Sequence, residues 1–136
     1  MLTVPKEKLR DYIDRELEPS GWLTIDQKRI TAFADITLDR QFIHVDEAKA
    51  ANTPFGSTIA HGYLTLSLIS YFATECGIGP ANAVMAINYG SDRVRFLQPV
   101  KVNSRVRARA VLKQVDDSES ERVLIKTKFT IDIDGA

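Results

Sequence analysis

The stretch Thr58-Ile59-Ala60-His61-Gly62-Tyr63-Leu64-Thr65-Leu66-Ser67-Leu68-Ile69-Ser70-Tyr71-Phe72-Ala73-Thr74-Glu75 decides the fold class. Ile59, Tyr63, Leu66, Ile69 and Ala73 recur at helical spacing as one apolar stripe, and Leu64, Leu68, Tyr71 and Phe72 form another. A helix that is apolar on several sides is buried on several sides. The segment therefore predicts a helix from Thr58 to Glu75 with other elements packed around it.

Downstream, the period changes from helical to alternating. Ala83, Met85, Ile87 and Tyr89 share one face, and Arg93 to Phe96 resumes the pattern after Gly90-Ser91, a candidate bulge. Val106, Ala108, Ala110 and Leu112 alternate with Arg105, Arg107 and Arg109. Val123, Ile125, Phe129, Ile131 and Ile133 alternate with Lys126, Lys128 and Asp132, across a turn at Val115 to Glu121. These are long antiparallel strands with one wet face. Asp132-Ile133-Asp134-Gly135-Ala136 has the composition of a hairpin turn, so either the sequence stops before a further strand or the sheet is one strand short and exposes an edge.

Upstream, Leu9, Tyr12, Ile13 and Leu17 predict a surface helix from Pro5 to Leu17, ended by Glu18-Pro19-Ser20-Gly21. Trp22 to Ile25 is a short strand. Thr24 with Gln27 makes a capping-box pattern for a helix from Asp26 to Asp35. Ile36 to His44 is irregular, Glu47 to Ala51 is a helical turn, and Thr53 to Ser57 is a loop. The expected class is α+β, with a long antiparallel sheet around a central buried helix.

At 136 residues the chain fits one domain, residues 1–136, and can bury a core. Its 18 Lys and Arg balance 18 Asp and Glu, which argues against nucleic acid as a partner. One cysteine, Cys76, leaves no intrachain disulfide and fits a reducing, cytoplasmic compartment. The charged start shows no secretory signal, and no apolar run is long enough for a bilayer.

Chemistry is concentrated in Thr37-Leu38-Asp39-Arg40-Gln41-Phe42-Ile43-His44. An acid and a histidine five positions apart can converge on one water if the loop bends. On residue types alone, a structural ion pair or hydrogen bond is the commoner explanation. Gly62, at the start of the central helix, allows a substrate to approach a free backbone N–H. There it could polarise a carbonyl as an oxyanion forms. Close packing is the other explanation of that glycine.

Phe33-Ala34-Asp35 through His44-Val45-Asp46, Pro54-Phe55-Gly56, Ile59-Ala60-His61-Gly62 and Arg95 to Val102 together resemble the MaoC-like dehydratases. That family includes the R-specific enoyl-CoA hydratases and the nodulation-protein N-like branch. Its motif runs roughly Gly-Asp-x-Asn-Pro-x-His, and the resemblance covers about Gly21 to Ile133. It implies a hotdog fold, usually dimeric, and a hydro-lyase of fatty acid metabolism. The implied reaction is reversible syn hydration of trans-2-enoyl thioesters to (R)-3-hydroxyacyl thioesters, with an acyl-CoA or acyl-carrier thioester as substrate and no cofactor.

Carried onto this sequence, the resemblance makes Asp39 and His44 catalytic, with the Gly62 N–H as oxyanion donor. Ser70 matches a site serine of some members. It lies about 12 Å along the helix from Gly62 at 1.5 Å rise per residue. Gln41, Phe42, Ser70 and Tyr63 are the candidate substrate-binding residues. Leu38 stands where the motif has Gly, and Gln41-Phe42 replaces Asn-Pro. These departures motivate two further readings: a hotdog module that binds acyl thioesters without turnover, and a hotdog thioesterase. Fold alone does not separate them.

The remaining candidates have plainer explanations. His61 is either a second acid–base group or a capping and packing residue. Two histidines and a distant cysteine argue against a metal site. Arg93, Arg95, Arg105, Arg107 and Arg109 either meet coenzyme A phosphates or form a solvated strand face.

Overall fold

The computed structural model describes all 136 residues. They form two compact units that interleave along the chain. No helix is long and apolar enough to cross a membrane.

The first unit comprises Met1–Gly21, Ile69–Asp92 and Arg107–Asp132. Strand β1 (Leu2–Val4) is followed by a 3-10 helix (Lys6–Tyr12). The predicted surface helix is thus shorter and tighter than Pro5–Leu17. It ends where Asp14 takes a positive φ of 65°. Leu9 from this helix packs with Val4, Ile78, Leu112 and Val115 in one apolar cluster. β1 pairs in parallel with β3 (Ile78–Pro80), a pairing that three-residue strands do not announce in sequence. Helix α5 (Ile69–Cys76) buries Phe72 and Cys76.

The second unit comprises Trp22–Leu68, Arg93–Val106 and Ile133–Ala136. Strand β2 (Leu23–Ile25) runs antiparallel to the start of β4 (Ser104–Asp116), pairing Thr24 with Arg105. Thr24 is therefore a strand residue and not a helix cap. Asp26 caps α1 (Gln27–Thr37) instead, its carboxylate accepting from the Arg29 N–H at 2.9 Å. Helix α1 buries Ile30 and Ala34, and full burial of a side chain like Ile30 contributes roughly 1.5–3 kcal/mol. Then come α2 (Phe42–Val45), α3 (Glu47–Ala50) and α4 (Gly62–Ser67).

The central helix differs from its prediction in two ways. It starts at Gly62, because Thr58 to His61 are extended: Ile59 bridges Lys101, and the Ala60 N–H donates to the Val100 carbonyl. It is also interrupted at Leu68, so α4 and α5 are separate elements. Leu64 and Phe72 are buried, whereas Tyr63 and Tyr71 are exposed.

β4 and β5 (Leu124–Ile133) are the predicted long strands, and the sheet order is β2-β4-β5. β4 alternates as read, with Val106, Ala108, Ala110 and Leu112 buried. Ala83–Tyr89 and Arg93–Phe96 form no strand. Their side chains are exposed, Val84 at 93% and the neighbouring Leu97 at 88%. Alternation there marks two faces, but no ladder partner lies alongside.

Candidate active site

The site is built within the second unit. Helix α1 ends at Leu38, whose φ of 67° lies in the left-handed region. That turn throws the chain back into Asp39. The conformation explains why the motif has glycine here: a Cβ makes it costly. Leu38 adopts it all the same, with its side chain 71% exposed. Asp39 is exposed, and its Oδ1 accepts from the Gln41 N–H at 3.4 Å.

His44 sits on α2 and is buried, at 6% exposure. Its Nδ1 lies 2.7 Å from the Ile59 carbonyl. A carbonyl can only accept, so Nδ1 carries the hydrogen and the neutral ring keeps a bare lone pair at Nε2. Burial pushes the His44 pKa down; the bond to Ile59 opposes this, His61 adds to it, and Asp39 opposes it.

Gln27 holds this arrangement from below. Its Nε2 donates to the His44 carbonyl at 2.8 Å and to the Thr31 hydroxyl at 3.2 Å, while its Oε1 accepts from the Thr58 hydroxyl at 2.6 Å. The sequence signal at Gln27, three residues after Thr24, had suggested a cap. Its side chain instead joins α1, α2 and the extended Thr58–His61 segment. Thr58, read as the first residue of a helix, is a buried partner of that amide.

The imidazole of His61 stacks on that of His44, with centroids 3.8 Å apart and planes 22° from parallel. Phe33 closes its other neighbourhood at 5.0 Å. His61 makes no side-chain cap of α4. Its Nε2 instead reaches the Asp39 backbone carbonyl at 2.9 Å.

One ligand atom from each of Asp39, His44 and His61 falls within 4.8 Å of the others. Two stacked rings, however, direct their in-plane lone pairs along nearly parallel planes. A cation needing both nitrogens at about 2.0–2.1 Å does not lie in both planes.

Gly62 begins α4, and its N–H donates to no protein acceptor. A Cβ there would sit 3.0 Å from the Phe96 ring. The glycine thus serves close packing, and its N–H is also free. Tyr63 is exposed and meets Phe96 edge-on at 5.8 Å. Phe42 opens α2 partly exposed, and Gln41 precedes it as an exposed cap residue without a side-chain cap bond. Ser70 belongs to the first unit, where its hydroxyl accepts from Asn88 at 3.2 Å. Of the arginines, Arg105 pairs with Asp134, and Arg107 and Arg109 pair with Asp132. These three form an ion-paired strand face.

Comparison with known proteins shows the family and the fold. The family described as "MaoC like domain" matches residues 8–132. Nodulation protein N of Rhizobium leguminosarum bv. viciae is 46% identical over 124 residues, covering 90% of this chain and 77% of that protein. The 3-hydroxyacyl-thioester dehydratase Z of Mycobacterium tuberculosis (strain CDC 1551 / Oshkosh) is 43% identical over 117 residues, covering 86% of this chain and 77% of that protein. Among solved structures, the unliganded R-hydratase of Pseudomonas aeruginosa superposes with a TM-score of 0.67 at 22% identity, covering 95% of this chain and 84% of that one. The fold is therefore the hotdog fold, as expected from the sequence. The chain belongs to the MaoC-like domain family and is a hydro-lyase of the hydratase and dehydratase class.

Proposed function

We propose that this enzyme hydrates trans-2-enoyl-CoA thioesters reversibly to (R)-3-hydroxyacyl-CoA thioesters, with Asp39 and His44 as the catalytic pair. One observation carries the reading: a neutral His44 with its Nε2 lone pair free, in one cluster with the Asp39 carboxylate, a His44 ring nitrogen and a carboxylate oxygen lying within 4.8 Å of each other. A water that donates to two acceptors at about 2.8 Å each holds them roughly 4.6 Å apart, a span inside that limit.

The water oxygen adds to the β-carbon as the pair removes one of its protons. The electrons of the double bond move towards the thioester, and an enolate oxygen forms. The Gly62 N–H donates to that oxygen. The pair then returns the proton to the α-carbon on the face from which water came. One water is consumed, and the acid–base pair ends as it began. Gln41, Phe42 and Tyr63 are the residues we assign to the substrate. No cofactor enters this scheme, so dialysis against a chelator should leave the rate unchanged.

The test is loss of enoyl-thioester absorbance across a series of enoyl-CoA chain lengths, alongside thiol release from acyl-CoA. General acid–base groups contribute about 10²- to 10⁴-fold, and Asp39→Asn and His44→Ala should each lose activity on that scale. Full activity in both variants removes the mechanism. Binding without turnover at any length, or thiol release without hydration, replaces the function.

The reading extends to assembly and location. Val84, Met85, Ile87 and Tyr89 are exposed apolar side chains close together in sequence, of the kind that marks protein contacts; a homodimer is the expected state. Light scattering that gives a monomer at all concentrations removes it. Cys76 is free and buried, its thiol pushed up by burial, which suits a cytoplasmic enzyme. Cell fractionation that finds the protein outside the cytoplasm overturns that assignment.

A further inference from the structure

We infer that His61 is a positioning residue of this active site: its ring, stacked on His44, ties down the backbone of Asp39 and so sets the separation between acid and base. The inference rests on the catalytic reading of Asp39 and His44, and adds a residue that neither the pair nor the oxyanion donor requires.

The geometry excludes the simpler roles. As a side-chain helix cap, the His61 imidazole would bond to the first turn of α4, and it does not; only the His61 backbone carbonyl accepts there, from Leu64 and Thr65. As a general acid or base, it would need an accessible nitrogen. The residue is 3% exposed, Nε2 is engaged with the Asp39 carbonyl, and Nδ1 is buried without a partner. Mere packing does not explain the polarity of the ring. A buried nitrogen without a partner costs free energy, and a phenyl ring would fill the same stack without that cost. What a phenyl ring lacks is the Nε2–H donor.

That donor lands at a mechanically weak place. Asp39 is exposed and follows Leu38 in a left-handed turn, and its own flanking bonds, at 3.4 Å, are long. The 2.9 Å bond from His61 joins residues 22 apart in sequence and is the short polar contact that fixes the Asp39 backbone. The same ring lies flat against His44, so the carboxylate and the imidazole are indexed to one rigid plate. The donor also fixes the tautomer: hydrogen on Nε2 and a bare Nδ1.

Two substitutions separate the parts. His61→Gln places an amide N–H near the position of Nε2, whereas His61→Phe keeps the stacked ring and removes the donor. Loss of a contact that orients a reacting group costs about 10- to 100-fold. His61→Phe should lower kcat by that factor with KM changed less than about threefold, and His61→Gln should restore most of it. If His61→Phe does not fold, His61→Asn replaces it, since its amide stops one bond short of the Asp39 carbonyl. Full kcat in the variant without the donor, or an equal loss in His61→Gln, overturns the inference. Nitrogen-15 spectra of the wild-type imidazoles provide an arm independent of turnover. His61 is expected as the Nε2–H tautomer and His44 as Nδ1–H; an Nδ1–H tautomer at His61 overturns the inference whatever the activity. Absence of hydration by the wild type, with those tautomers present, counts against the catalytic reading alone.

Discussion

The His44 ring donates from Nδ1 to the Ile59 carbonyl at 2.7 Å, and the Ile59 N–H in turn donates to the carbonyl of Ile43, the residue before His44, at 3.0 Å. This link joins α2 to the extended segment before α4. It also selects the tautomer, leaving Nε2 as the bare imidazole nitrogen. The backbone has assigned the tautomer before any substrate arrives.

The pH dependence follows from the burial of that ring. Burial holds the His44 pKa below 6.5, aided by His61 and opposed by the Ile59 bond and by Asp39. In the unfolded chain the histidine takes a proton near 6.5, while the folded chain resists it. The stabilisation is therefore complete above 6.5 and is lost as pH falls through the folded value. Urea midpoints should drop over that range, and less so in His44→Ala. The acid limb of kcat/KM set by His44 should also lie below 6.5. An NMR titration that places His44 at or above 6.5 contradicts both.

Gln27→Leu leaves the His44 carbonyl and the Thr58 hydroxyl without their partner. Each unsatisfied buried group costs about 1–3 kcal/mol. Urea unfolding should show a loss of roughly 2 kcal/mol or more, and kcat should fall with it because α2 is no longer anchored. Adding Thr58→Val should recover part of the stability by removing the orphaned hydroxyl. A double variant that is simply additive denies the coupling.

Leu38→Gly should raise stability slightly. The left-handed turn costs a residue with a Cβ about 1–2 kcal/mol, and a flexible glycine costs about 0.5–1 kcal/mol in the unfolded chain. The leucine side chain is mostly exposed, so little packing is lost. A gain of up to about 1 kcal/mol is expected from these two terms, with activity unchanged. A clear loss of stability means that Leu38 packs in a way its exposure does not indicate.

Gly62→Ala drives a methyl against the Phe96 ring, 3.0 Å away. Overpacking costs typically 1–3 kcal/mol, but Phe96 is half-exposed and can yield. Stability should fall by roughly 1 kcal/mol and return in the double variant with Phe96→Leu. If hydration stays low once stability is restored, the methyl is blocking approach to the Gly62 N–H. Full activity in the restored protein shows that the glycine serves packing alone.

Much of this was legible in the residues, and the gaps have physical causes. Val106 to Leu112 alternates against arginines and is a strand, because both its faces and its ladder partners are supplied nearby. Ala83 to Tyr89 alternates as well but forms no ladder. Periodicity reports faces, whereas pairing needs an adjacent edge. The motif around them singles out Asp39 and His44, and the fold brings the two side chains into one cluster. Gln27 and His61 were not legible in that way. Their partners lie 17 and 22 residues away, and a capping pattern at Gln27 offered a local explanation that the fold does not use. The parallel contact of Leu2–Val4 with Ile78–Pro80 has no local signal, since three residues carry no period.

The left-handed turn at Leu38 has a consequence for recognising relatives. What the site inherits there is a backbone angle, and glycine is one way among others of supplying it. A sequence pattern that insists on glycine before the acid passes over chains that make the same bend with a branched side chain turned out to solvent. Scoring the position by its tolerance of positive φ would recover them.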